Sequence, residues 1–119
     1  YPETSGDPLG DFINSQLKVQ KFEVEHVLPA HGGVYHDHRH RANQLIEHHR
    51  YREAEMLDLT RRKPQTAFEV AQQIFGNEER PIFHVMAATF ETLAHLEHAY
   101  LEGRARKVEK SGKLLFQTI

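Results

Sequence analysis

From His38 to about Thr60 apolar side chains recur at helical spacing, and this stretch limits the fold more than any other. At 3.6 residues per turn Ala42, Leu45, Ile46, Met56 and Leu57 form one stripe. Asp37 stands where the N-cap belongs. An amphipathic helix of this length needs its stripe covered, so the neighbouring elements must assemble around it. Arg61-Arg62-Lys63-Pro64-Gln65 breaks the pattern. Thr66 and Glu69 then have the spacing of a capping box, which predicts a short helix over Ala67–Phe75. Phe68, Val70, Ala71, Ile74 and Phe75 are its apolar residues, and Gly76-Asn77 ends it. A turn leads to Pro81, suited to the first position of a long helix over Pro81–Glu102. Ile82, Met86, Phe90, Leu93, Leu96 and Tyr100 cover one side of it; Phe83, Ala87 and Ala94 widen that side, and Gly103 terminates it. Ala105–Glu109 and Lys113–Gln117 read as two strands around Lys110-Ser111-Gly112, a hairpin signal.

Upstream, Tyr1–Gly6 is polar and turn-like. Asp7-Pro8 marks a helix start, and Leu9, Phe12, Ile13, Leu17 and Val19 support an amphipathic helix from Pro8 to about Gln20. Gly10 weakens it slightly. Phe22, Val24 and Val27-Leu28 suggest a short strand near Glu25–Leu28. Such a strand with unpaired edges offers a route to pairing with a second copy, a possible homodimer. The fold class is therefore mainly α with a small β-hairpin. A helix and a strand precede a winged-helix order of helix, short helix, long helix and hairpin, with no internal repeat.

The 119 residues suffice for one domain with a modest core. A formal net charge of -2 gives no general attraction to nucleic acid or anionic membranes. Without cysteine, neither a disulfide nor a thiolate metal site can form. No apolar run is long enough to span a bilayer and no signal peptide is visible, so a cytoplasmic location is expected. The chain opens on Tyr1 rather than methionine, which suits a fragment or a processed product.

Ten histidines are the compositional oddity. In Val27-Leu28-Pro29-Ala30-His31-Gly32-Gly33, Pro29 ends a strand and the glycines allow a sharp turn through positive φ. His31 there is either a metal ligand at a strand's exit or a histidine that happens to occupy a turn. His36, His38 and His40 read as solvated residues around a helix start, because a zinc site needs three or four ligands in fixed geometry. His49 and Glu53 fall in the centre of the long helix's apolar stripe, at i and i+4, where they can hydrogen-bond each other. They are either a polar pair that fixes helix docking or groups that face a substrate or support a metal ligand from behind. Arg50 and Arg52 point away from the stripe and are either solvated or anion-binding.

The element order raises the question of nucleic acid. The outer arc of the Pro81–Glu102 helix is expected to carry His84, Glu91, His95, His98 and Glu102. Two carboxylates without a permanent cation argue against reading duplex DNA through it. In the tail Arg104, Arg106, Lys107, Lys110 and Lys113 are opposed mainly by Glu109. They form either a solvated hairpin or a non-specific contact to a nucleic-acid backbone.

Leu28-Pro29-Ala30-His31-Gly32 resembles the late histidine motif of the metallo-β-lactamase superfamily, often Leu-Pro-Gly-His-Gly there. Asp7-Pro8-Leu9-Gly10-Asp11, His49-Arg50-Tyr51-Arg52-Glu53 and Leu93-Ala94-His95-Leu96 leading to Gly103 resemble the branch with a winged-helix C-terminal extension. The early His-x-His-x-Asp-His motif, a middle histidine and a bridging aspartate are absent. The resemblance implies the C-terminal portion of a larger hydrolase. Residues 1–37 would be a remnant of the αββα catalytic domain and residues 38–119 a winged-helix-like domain bordering the substrate cleft. It implies one or two zinc ions in the parent enzyme, with His31 a ligand of the second. The parent's substrate would be a small-molecule ester, thioester, lactone, lactam or phosphodiester. The missing N-terminal catalytic domain would be the chain's partner. One imidazole cannot assemble the site, so the isolated chain is expected to hold no catalytic residue, bind no zinc and be inactive. The alternatives are a free-standing winged-helix nucleic-acid binder and an interaction or dimerisation domain without chemistry.

Overall fold

A computed structural model describes residues 6–76 and 81–119. Its elements are α1 (Pro8–Val19), α2 (His38–Arg62), α3 (Ala67–Phe75), α4 (Ile82–Leu101), β1 (Ala105–Lys110) and β2 (Lys113–Thr118). The protein is thus mainly helical with one small antiparallel hairpin, as the local patterns predict. The turn expected over residues 1–5 and the turn following Gly76 at residues 77–80 lie outside the described residues.

Local chemistry sets the boundaries. The Asp7 carboxylate accepts from the Gly10 amide at 3.0 Å and Asp37 from the His40 amide at 2.9 Å, satisfying amides that a helix start leaves orphaned. The Thr66–Glu69 capping box is complete: the Glu69 amide reaches Thr66 Oγ1 at 3.1 Å and the Thr66 amide reaches Glu69 Oε1 at 3.3 Å. Gly103, at φ +78°, lets Gly103 N–H reach the Tyr100 carbonyl and Arg104 N–H the Ala99 carbonyl, a Schellman closure of α4. Ser111 and Gly112 both take positive φ, the type I′ geometry that suits a two-residue hairpin.

The core lies where α2, α3, α4 and β2 meet. Met56, Ala67, Val70, Leu96 and Phe116 are buried together, with Leu59, Ile74, Phe75 and Leu93 against them. Each large side chain there contributes about 1.5–3 kcal/mol by leaving water. Gln65 exchanges backbone hydrogen bonds with Phe116, so the α2–α3 connection lies alongside β2. A second buried cluster joins Leu57 of α2, Ala99 of α4 and Ala105 of β1. Helix α1 packs on both α2 and α4.

Several expectations are corrected. The strand near Glu25–Leu28 is a single antiparallel bridge, Val27 to Tyr35. Strand structure needs a ladder of partners, and among the described residues this segment pairs only there, with Leu28 81% exposed. His38 is buried rather than solvated: Nε2–H donates to the Phe22 carbonyl at 2.8 Å. Arg39 donates to the Gln20 and Phe22 carbonyls, so the first turn of α2 caps the chain as it leaves α1. Arg52 is half-buried: its guanidinium sits 5.0 Å over the Phe75 ring and 3.4 Å from Glu55. The apolar side of α4 divides: Leu96 is fully buried, while Ile82, Phe83, Met86 and Phe90 are exposed.

Candidate functional site

The polar centre of the molecule lies between α2 and α4. Glu91 and His95 stand one turn apart on α4, and His49 comes from α2. His49 Nδ1 and His95 Nε2 are 3.2 Å apart. His95 Nδ1 is 2.7 Å from the Glu91 carbonyl, which can only accept, so Nδ1 carries the proton. His95 Nε2 must then offer a lone pair, and His49 Nδ1–H donates to it. Phe12 of α1 meets the His49 ring edge-on, with centroids 5.0 Å apart.

Burial first, then the neighbouring His95 and His48, pushes the His49 pKa below its ordinary value. Burial dominates for His95 too and outweighs the favourable Glu91 carbonyl and carboxylate. Both shifts favour the neutral rings, in which His95 Nε2 accepts the His49 Nδ1–H and each ring keeps one lone pair that can take a proton or a metal. Donor atoms of His49, Glu91 and His95 all lie within 4.8 Å of one another. Among the described residues this is the one such group of three.

A charged cluster adjoins it. Asp7 Oδ2 lies 2.9 Å from His98 Nδ1, and Glu102 is 3.2 Å from Nε2 of the same ring. Burial raises the Asp7 pKa, but the hydrogen bonds with His98 and the Gly10 amide prevail and hold it below the ordinary 3.8. Glu53, only 6% exposed, is paired with Arg104, which also pairs with Glu102. Burial raises the Glu53 carboxyl and Arg104 offsets only part of that. These groups, with Arg50, line a cavity of about 610 Å³.

The anticipated His49–Glu53 hydrogen bond is absent from this arrangement. The two side chains share a face of α2 but meet different neighbours, His95 and Arg104, at successive levels. His31 is exposed in the loop between Val27 and Tyr35, with Gly32 at φ +89°. A lone imidazole does not meet the needs of a zinc site, and the converging donors among the described residues lie elsewhere. Of the tail cations, Lys107 faces Glu97 at 2.6 Å and Tyr100 at 4.3 Å. Arg106 bonds Gln117, and Lys110 stands opposite Lys113.

No family model matches the chain. Among solved structures it is similar to a β-lactamase domain protein from Burkholderia ambifaria, with TM-score 0.88 and 27% identity over 95% of this chain. It is also similar to a metallo-β-lactamase family protein from Thermus thermophilus, with TM-score 0.80 and 28% identity over 96% of this chain. These neighbours support the metallo-β-lactamase superfamily. The chain spans about a third of their length, 34% in each case.

What sequence reasoning missed is that Glu91 and His95 turn toward His49. They were expected on the outer arc of α4, yet His95 is 1% exposed. The available signal was a Glu-x-x-x-His spacing, which puts both side chains on one helix face. The superfamily resemblance had already singled out His49 and His95 in separate motifs; the fold brings those two motifs into contact.

Proposed function

We propose that the chain is the C-terminal portion of a metal-dependent hydrolase of the metallo-β-lactamase superfamily, contributing a helical module that borders the substrate cleft. The observation that carries this reading is the match of 95% of the chain to 34% of a β-lactamase domain protein at TM-score 0.88. In this reading residues 1–37 continue the catalytic domain and residues 38–119 form the winged-helix-like domain. The Gln65–Phe116 bridge supports the latter, since it adds a third backbone segment to the hairpin. His31, exposed on its loop, is the ligand this chain offers to zinc held by the preceding part of the protein. The substrate class is a small-molecule ester or thioester, and nucleic acid is the weaker alternative because Arg104 and Lys107 already face carboxylates.

The test compares esterase activity of this chain with that of a form extended upstream. The extended form should be active and the short chain inactive, and His31→Ala should remove activity from the extended form. Equal activity of the two forms would refute the incomplete-site reading.

A further inference from the structure

We propose that His49, Glu91 and His95 form a transition-metal site inside the helical module, binding one divalent ion such as zinc and clamping α2 to α4. The geometry is close to what coordination requires. Two zinc–nitrogen bonds of about 2.0–2.1 Å at a tetrahedral angle hold the nitrogens about 3.3 Å apart. His49 Nδ1 and His95 Nε2 are 3.2 Å apart already.

The ion takes the place of the proton between the two rings. His95 needs no change of tautomer, because its Nδ1–H is committed to the Glu91 carbonyl and Nε2 is the free donor. That carbonyl supports the ligand from behind, as ligating histidines generally require. His49 moves its proton from Nδ1 to Nε2 and remains neutral, so no proton is gained or lost. Glu91, half-buried and with a carboxylate oxygen within 4.8 Å of a ring nitrogen of each histidine, supplies the third ligand by turning its side chain toward the ion.

Two imidazoles and one carboxylate suit zinc, cobalt or nickel rather than calcium or magnesium, which prefer oxygen ligands. Three protein ligands leave a fourth tetrahedral position for water. The three ligands come from two helices, so the bound ion resists their separation, and stability rises with metal concentration.

The experiment uses the 119-residue chain, stripped with chelator and titrated with cobalt(II) and then zinc. The expected result is one saturable cobalt site with visible absorption, displaced by zinc, and a melting temperature that rises with zinc. Glu91→Gln keeps the side chain's shape and should weaken binding at least about tenfold, with His49→Gln as an independent second ligand variant. A variant lacking the exposed histidines, His31→Ala with His36→Ala and His40→Ala, should bind as the parent does. The proposal is overturned by absence of a saturable site, by Glu91→Gln and His49→Gln binding as tightly as the parent, or by loss of binding in the exposed-histidine variant. Because the readouts are metal binding and stability, they hold or fail independently of hydrolase activity.

Discussion

Asp7 accepts from the Gly10 amide and meets His98, so one carboxylate both caps α1 and ties it to α4. A carboxylate held below its ordinary pKa in the folded protein stabilises the fold above that ordinary value. The contribution is lost as pH falls through the lowered one. Asp7→Asn should therefore flatten the fall in stability below pH 3.8, measured by urea unfolding at successive pH values. Gly10 looked in sequence like a small defect in α1. The fold explains it, because a Cβ there would run into the Asp7 carboxylate. Leu96 is fully buried among Met56, Val70 and Phe116, and Leu96→Ala should cost about 2–5 kcal/mol in the same assay.

At the scale of elements, the helix ends and the hairpin follow from short-range chemistry. The Thr66–Glu69 box was legible from two residues at the right spacing, and Thr66→Ala should lower stability by about 1 kcal/mol in chemical denaturation. Gly103 closes α4 and aims the chain so that Arg104 reaches Glu53. Gly103→Ala forces a Cβ into left-handed backbone and should cost about 1–2 kcal/mol, seen as a lower melting temperature. The segment between α1 and α2 behaves differently. Val24, Val27 and Leu28 have the character of a strand, but a strand forms only when a neighbour shares its backbone hydrogen bonds, and among the described residues only Tyr35 does.

Across the whole molecule, apolar surface is unevenly covered. Ile82 and Phe83 are 73% and 75% exposed, and Met86 and Phe90 extend the same face of α4. A contiguous patch of this kind binds hydrophobic dyes. The double variant Phe83→Glu with Phe90→Glu should show clearly weaker dye fluorescence while stability stays within about 0.5 kcal/mol per substitution. Further along α4 one face is enclosed, with Thr92, His95, Leu96 and Ala99 buried, while Tyr100 and Leu101 are exposed. No helix among the described residues is long and apolar enough to cross a membrane.

Periodicity, caps and turn residues in the sequence determined four helices, their limits to within a residue or two, and the hairpin, because each signal acts between residues a few positions apart. Tertiary structure alone decided which face of α4 is covered, that His38 turns inward, and that His49 leaves Glu53 for His95. Those outcomes depend on which surfaces of α1, α2 and α4 come together, and a helical wheel describes one helix without its neighbours.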